Sequence, residues 1–205
     1  MSSRVNLWGV AHRLLHVTVG ILLFYLLAPI FIVFPMSLSP GRYMVFPPPS
    51  LSLQWYEEYF TSDAWISGSL LSLQVALGSM IIATTLGTLA AFPIVRARFP
   101  GKDLLYAFIL SPWIIPPIII SISMFFVAVK LGLIGNAIVL ASAHAVIGIP
   151  AVVVVVSATL KGFDESLEHA SMSLGANRWQ TFLYVTLPLI RPGVLTAGLF
   201  AFLIS

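Results

Sequence analysis

Long stretches without a charged residue are the feature that most limits what this chain can fold into. No Asp, Glu, Lys or Arg occurs in residues 14–41, 64–95, 104–129 or 131–160. A helix needs about 20 mostly apolar residues to cross a bilayer. With 59% apolar and only 8% charged residues, the chain lacks the charge that solvates the surface of a water-soluble domain. We therefore expect much of its surface to face lipid.

The uncharged blocks predict an all-α integral membrane protein, a helical bundle of about five spans in a single domain over residues 1–205. The first block ends in Phe34-Pro35-Met36 and is longer than the apolar core of a signal peptide, which favours an uncleaved helix. The last block begins at Pro192, a residue suited to the first helical position, and leaves about 14 residues, fewer than a crossing needs. We therefore expect an incomplete fifth span in a C-terminally truncated chain. The predicted spans are 17–38, 64–95, 104–129, 136–160 and 192–205.

Lysine and arginine are unevenly divided between the segments that join the spans. If the N-terminus lies inside, the outer segments hold only Arg42 and Lys130, and the inner segments hold Arg4, Arg13, Arg96, Arg98, Lys102, Lys161, Arg178 and Arg191. Short loops rich in these residues stay in the cytoplasm, so we expect a cytoplasmic N-terminus. Residues 39–63 then form an outer loop stiffened by Pro47-Pro48-Pro49. The net charge of +3 does not indicate nucleic-acid binding, because the basic residues form no single face.

Small residues and prolines mark three places within the spans. Ala83, Gly87 and Ala91 form a row at every fourth position, which permits close approach of helices in lipid. Pro116-Pro117 in the third span and Gly148-Ile149-Pro150 in the fourth are predicted to interrupt regular backbone hydrogen bonding. The interruptions are either hinges of a gate or fixed kinks.

The segment 161–188 between the fourth and fifth spans is predicted to form two short helices. Asp164 is a suitable cap for the first helix, Gly175 supplies its stop, and Asn177 with Gln180 forms a capping-box pattern for the second. Leu187-Pro188 is predicted to end the second helix. The first helix carries one small-to-apolar face, made of Leu167, Ala170, Ser171 and Leu174. This pattern predicts either a docking element on the inner membrane face or an amphipathic hairpin without a partner.

The run 167–176, followed by Val185-Thr186-Leu187-Pro188, resembles the EAA loop of type I ABC importer permeases. In that family the loop forms coupling helices that fit a groove on a cytoplasmic ATPase subunit. With Gly175 aligned, His169 stands where the motif has glutamate, and Glu168 comes one position earlier. The resemblance thus implies an ATPase-docking loop containing Leu167, Glu168, His169, Ala170, Ser171, Leu174, Gly175 and Ala176.

Further likenesses favour the spermidine/putrescine permeases within this superfamily. They include Phe46-Pro47-Pro48 and Leu53-Gln54-Trp55-Tyr56 in the outer loop, and Ser111-Pro112-Trp113 in the third span. Permeases for ferric iron, thiamine or oxyanions share much of the pattern and stay open as alternatives. The resemblance implies a multi-pass protein of the bacterial plasma (inner) membrane. Its implied partners are cytoplasmic ATPase subunits, a second permease subunit and a periplasmic or lipoprotein solute-binding protein.

The chain shows no sequence pattern for catalysis of its own. Gly101-Lys102 lacks the glycines and the Ser or Thr of a phosphate-binding loop, so ATP hydrolysis is expected on a separate subunit and no cofactor is expected here. An ion-coupled carrier or membrane enzyme is the alternative class, but His144 has no acidic partner within a span. We interpret His144 as a packing or pore-lining residue. A scaffold subunit without a transport role is a third possibility, and no residue is assigned to solute binding.

Overall fold

The computed structural model describes residues 7–43 and 45–205, so Arg4 of the predicted inner segment lies outside the described residues. Its α-helices are α1 (Leu7–Ser37), α2 (Gln54–Thr61), α3 (Asp63–Arg96), α4 (Lys102–Leu110), α5 (Pro117–Lys130), α6 (Ala137–Gly162), α7 (Ser166–Ser173), α8 (Arg178–Thr181) and α9 (Leu187–Ile204). No strand occurs in the described ranges, which confirms the all-α prediction. Within those ranges, four helical segments are long and apolar enough to cross a membrane, and a bent pair brings the number to five.

The described residues up to Ser67 form one compact unit, in which α1 is followed by a hydrogen-bonded loop and α2. The indole Nε1 of Trp55 donates to the carbonyl oxygen of Ser39 at 2.9 Å, and the Tyr56 hydroxyl donates to Ser37 Oγ at 2.8 Å. Ser52 N–H donates to the carbonyl oxygen of Leu38 at 2.7 Å. The segment predicted as an outer loop therefore contains a short helix whose aromatic residues hold it to the end of α1.

Residues 68–205 form the second compact unit, and the third predicted span is broken within it. Helix α4 runs into a 3₁₀ turn at Ser111–Trp113, and α5 starts at Pro117 after a bend of 95°. Pro116 adopts an extended backbone with ψ of 129°, which ends the regular helix. The predicted interruption at Pro116-Pro117 is confirmed.

Helix α6 continues through Gly148-Ile149-Pro150 from Ala137 to Gly162, so the predicted interruption is limited to the backbone hydrogen bond that Pro150 cannot donate. A Cβ atom added to Gly148 would lie 3.3 Å from the Cβ atoms of Ala83 and Ala201. Gly148 therefore serves the close packing of α6 between α3 and α9. Proline is tolerated inside a membrane helix when its neighbours compensate for the lost hydrogen bond.

The core of this unit lies between α3, α6 and α9. Ala83, Gly87 and Ala91 are all buried, as the row of small residues predicted. A Cβ atom added to Gly87 would lie 2.7 Å from the Cβ atom of Val152 on α6. The absence of a side chain at position 87 is what permits the two backbones to approach so closely.

Helix α9 begins earlier than the sequence predicts. Leu187-Pro188 was expected to end a short helix and Pro192 to start the fifth span, but the chain is helical from Arg178 to Ile204. A π-helical turn at Phe182–Thr186 carries α8 directly into α9. Pro188 then lies in the first turn of α9, directly after the π-helical turn. Pro192 lies inside the helix, and the helical run has 27 residues.

Candidate docking loop

We call residues 163–186, which join α6 to α9, the docking loop. Its first helix, α7, ends in a Schellman motif. The N–H of Ala176 donates to the carbonyl oxygen of Ser171 at 3.2 Å, and the N–H of Gly175 donates to that of Met172 at 3.0 Å. Gly175 has a φ of +94°, the left-handed conformation that glycine adopts without strain. The predicted glycine stop is confirmed.

The start of α7 is capped by Asp164. Its Oδ1 accepts a hydrogen bond from the N–H of Ser166 at 2.9 Å. Glu165 takes the formal cap position in the helix, one residue later than the sequence indicated. Hydrogen bonds from the backbone and side chain of Ser166 lower the pKa of Asp164.

The second helix, α8, starts with the predicted capping box. The N–H of Gln180 donates to Asn177 Oδ1 at 2.9 Å, and the N–H of Asn177 donates to Gln180 Oε1 at 2.8 Å. The Trp179 and Phe182 rings stack with their centroids 5.6 Å apart. The Phe182 ring in turn meets Phe92 of α3 edge to face at 5.2 Å. The docking loop is therefore capped internally and attached to α3.

The exposed surface of the docking loop forms an open, apolar groove of about 640 Å³. One wall comes from α7 and the turn after it, and the other comes from the π-helical turn and the start of α9. Leu174 projects furthest and is 89% exposed. An open apolar groove of this kind is typical of a surface that another molecule covers. The lining residues are Leu167, Ala170, Ser171, Leu174, Ala176, Tyr184, Val185, Pro188 and Leu189.

The eight residues predicted for docking fall into different environments. Leu167, Ala170, Ser171, Leu174 and Ala176 line the groove. The other three do not. Gly175 shapes the turn, and the His169 side chain is exposed on α7. Glu168 Oε1 instead accepts a hydrogen bond from the buried Thr186 hydroxyl at 2.8 Å and lies 3.6 Å from Arg96 Nη2.

Several residues of this region were not identified from the sequence. Tyr184 lines the groove, and the Arg96 guanidinium lies 5.6 Å from the centre of the Phe163 ring. The buried Thr181 hydroxyl lies 3.2 Å from Ser171 Oγ, joining α8 to α7. Arg96 is separated from its partner Glu165 by 69 positions, so no local pattern connects them. The one available signal was the charge of Arg96 at the end of an otherwise uncharged span.

A second cavity, of about 380 Å³, lies among α3, α5, α6 and α9 and is lined mainly by apolar residues. His144 lies on its wall, with Nδ1 2.8 Å from the carbonyl oxygen of Ser205. Among the residues that the structure describes, no three His, Cys, Asp or Glu side chains are close enough to share a metal ion. The half-buried His144 thus lines a cavity, and its interpretation as a packing or pore-lining residue stays a prediction.

A substitution at Gly175 tests whether its backbone conformation stabilises the docking loop. No atom lies within 4 Å of an added Cβ, so the effect of Gly175→Val comes from the φ of +94° alone. A non-glycine residue in this conformation costs about 1–3 kcal/mol. We expect backbone amides of residues 166–180 to exchange with deuterium roughly tenfold faster, which corresponds to about 1.4 kcal/mol. Hydrogen exchange of the protein in nanodiscs measures this.

Gly175→Asn is the matched control, because asparagine adopts the left-handed conformation more readily than valine. We expect its exchange rates to lie between those of the wild type and of Gly175→Val. Unchanged rates in Gly175→Val would contradict a role for the left-handed turn.

Known proteins resemble this chain in sequence. The family described as "Binding-protein-dependent transport system inner membrane component" matches residues 83–205, which include the docking loop. The putrescine transport system permease protein PotI of Escherichia coli (strain K12) is 35% identical over 161 residues, 75% of this chain and 57% of PotI. The molybdenum transport system permease protein ModB of the same strain is 32% identical over 157 residues, 69% of this chain and 67% of ModB. The chain thus spans little more than half the length of PotI.

A solved structure shares the fold. The crystal structure of a bacterial ABC transporter involved in the import of the acidic polysaccharide alginate matches with a TM-score of 0.54 and 18% sequence identity. The match covers 99% of this chain and 73% of the other. The resemblance to importer permeases is therefore confirmed, and the family match extends over more than half of the chain. This multi-pass membrane protein belongs to the family of binding-protein-dependent transport system inner membrane components.

Proposed function

We propose that the chain is the transmembrane permease subunit of an ATP-driven importer and that its docking loop binds a cytoplasmic ATPase subunit. The observation that carries the proposal is the exposed apolar groove beside α7, formed by a loop in which α7 is capped at both ends and α8 at its start. A loop that only rested in lipid would need no such fixed shape. A loop that transmits force to a separate subunit needs a rigid form and an apolar contact surface.

The orientation and partners follow from this proposal. The docking loop and the N-terminus lie in the cytoplasm, in agreement with the excess of Lys and Arg in the predicted inner segments. A second permease subunit completes the translocation pathway, and a solute-binding protein delivers the solute from outside. The ATPase must bind the outward-open and inward-open permease with different free energies, since otherwise hydrolysis drives nothing. This chain supplies the pathway and the docking surface, and the ATPase supplies the catalysis.

We propose a polyamine such as putrescine as the solute. The likeness to PotI, whose name states putrescine transport, supports this choice, together with the proline-rich and aromatic segment 46–56. The likeness to ModB supports an oxyanion as the second candidate. The two candidates carry opposite charges, so a single competition experiment separates them.

Uptake into right-side-out membrane vesicles tests the function. Vesicles that contain this chain with its ATPase and binding-protein partners are loaded with ATP and given labelled putrescine. We expect accumulation that requires internal ATP, persists when the proton gradient is collapsed, and is not reduced by molybdate. Matched vesicles loaded with a non-hydrolysable ATP analogue serve as the control.

Two results would overturn parts of the proposal. Accumulation that follows an ion gradient without ATP would identify a secondary carrier. ATP-dependent uptake of molybdate instead of putrescine would retain the permease function and reject the polyamine.

A further inference from the structure

Arg96, the last residue of α3, lies at the centre of a cluster that holds the docking loop in place. Its guanidinium forms an ion pair with Glu165 and lies 3.6 Å from Glu168 Oε1. On another side it lies over the Phe163 ring at 5.6 Å, within the range of cation–π attraction. The Arg96 side chain is only 19% exposed, so these contacts are partly shielded from solvent.

The cluster connects three elements of the fold. Arg96 belongs to α3, and Glu165 and Glu168 belong to the start of α7. Glu168 also accepts the hydrogen bond from Thr186 at 2.8 Å, which reaches the π-helical turn before α9. One guanidinium thus links α7 to α3 directly and, through Glu168, to the start of α9.

Helix α7 depends on neighbouring elements for its position. It has eight residues, none of them buried, and it packs against α8 and the π-helical turn. An isolated helix of this length is marginal in water, and a short helix in a protein depends on tertiary contacts. Besides the hydrogen bond between Thr186 and Glu168, a contact between Ser171 Oγ and Thr181 Oγ1 at 3.2 Å joins α7 to α8. The charged groups around Arg96 therefore supply the attachment of α7 to α3.

Arginine is suited to this place because its planar guanidinium can face two carboxylates at once. Glu165 and Glu168 lie three positions apart on the same side of the helix, where two negative charges repel. Without Arg96, the carboxylate of Glu168, whose side chain is only 21% exposed, would have no cation beside it. The carboxylates would then be expected to turn outward and release α7.

We propose that Arg96 is the positioning residue of the docking loop: its pairing with Glu165 and Glu168 fixes α7 to α3, so that the two helices move together. Glu168 then belongs to the attachment of the loop rather than to its docking face. The consequence for transport rests on the proposed function, whereas the attachment itself depends only on the residues of this chain.

Distance measurements between two spin labels test the attachment. The chain has no cysteine, so labels can be placed without removing native thiols. The labels are attached through Leu89→Cys on α3 and Ser173→Cys on α7, because both residues are exposed and lie in helices. In nanodiscs without any ATPase, we expect one narrow distance peak for the otherwise wild-type chain. Arg96→Gln is expected to replace it with a broad distribution.

The controls separate pairing from a general loss of structure. Arg98→Gln removes an exposed arginine two positions away and is expected to keep the narrow peak. Arg96→Lys keeps the positive charge but lacks the planar guanidinium, and it is expected to give a distance distribution of intermediate width. Arg96→Glu combined with Glu165→Arg exchanges the charges of this ion pair. The double variant is expected to give a narrower distance distribution than Arg96→Glu alone.

The proposal is overturned if Arg96→Gln keeps the wild-type peak, or if Arg98→Gln broadens it as much. If Arg96→Gln does not insert into the membrane, Arg96→Glu is compared with the variant that carries both Arg96→Glu and Glu165→Arg. The proposal is then overturned if the distance distribution of the double variant is no narrower than that of Arg96→Glu. Failure of the ATPase to bind the wild-type chain would reject the proposed function but leave the distance result standing. In an assembled transporter, we expect Arg96→Gln to lower the solute transported per ATP hydrolysed by about tenfold, a typical coupling effect.

Discussion

Replacing Gly87 with leucine is expected to lower the free energy of unfolding of the membrane-embedded unit by at least about 3 kcal/mol, the upper range for overpacking a core. Gly87 lies in the C-terminal third of α3 and faces α6. Any Cβ atom at this position would lie 2.7 Å from both Cβ and Cγ1 of Val152 and 3.4 Å from the carbonyl oxygen of Ile149. Leucine adds three further carbon atoms in the same direction. Either the helices separate or the chain fails to reach this packing.

The surroundings leave little room for relief. Val152 is fully buried, and its neighbours Val153 and Val156 are fully buried as well. Its β-branched side chain has few alternative rotamers in a helix. In lipid, helices associate through close van der Waals packing rather than through exclusion of water, so separating α3 from α6 removes the contacts that hold them together.

Thermal unfolding in detergent, followed by the loss of the monodisperse peak in size-exclusion chromatography, measures the effect. Gly87→Ala should destabilise by about 1–3 kcal/mol, because its single methyl group already meets Val152. Gly68→Leu is the matched control on the same helix, since no atom lies within 4 Å of an added Cβ at position 68. A wild-type transition temperature for Gly87→Leu would contradict the close packing of α3 on α6.

Features of the fold that depend on neighbouring positions could be predicted from the sequence. The row Ala83, Gly87 and Ala91 repeats at helical spacing, so the face of α3 that packs in the core was evident. The capping box at Asn177 and the glycine stop at Gly175 each lie within one helical turn. Local chemistry of this kind restricts the backbone before any tertiary contact forms.

Features that depend on distant contacts could not be predicted in the same way. Pro150 resembles a helix break in the sequence, yet packing of Gly148 against Ala83 and Ala201 accompanies a continuous α6. The π-helical turn at Phe182–Thr186 joins two segments that the prolines indicated as separate. Tertiary packing outweighed the local preference in both places.

The contacts of the Glu168 side chain, within the candidate site, also could not be predicted from the sequence. The sequence places it among the predicted docking residues, one position before the residue aligned with the motif's glutamate. Its carboxylate instead accepts from Thr186 and faces Arg96, which is 72 positions earlier in the chain by residue number. Helical spacing defines which residues share a face, but the partner of that face comes from the tertiary fold.

Replacing Leu174 with glutamate is expected to weaken binding of the ATPase subunit by at least about 30-fold, the effect of losing about 2 kcal/mol at an interface anchor. Leu174 is 89% exposed and lines the groove with Leu167 and Ala170. Full burial of a leucine side chain contributes about 1.5–3 kcal/mol. Glutamate loses this contribution and adds a carboxylate that must be desolvated when the groove is covered.

The fold itself should tolerate the change, because so exposed a side chain makes few contacts within the chain. Ser173→Glu is the matched control. It places the same charge one residue earlier, also exposed, but outside the groove. Binding of the purified ATPase subunit to each variant in nanodiscs should fall for Leu174→Glu and stay within about threefold of wild type for Ser173→Glu, a typical surface effect below 1 kcal/mol. Equal affinities for the two variants would contradict the groove as the docking face. A partner that covers the groove would contact the charge at position 174 but not the charge at position 173.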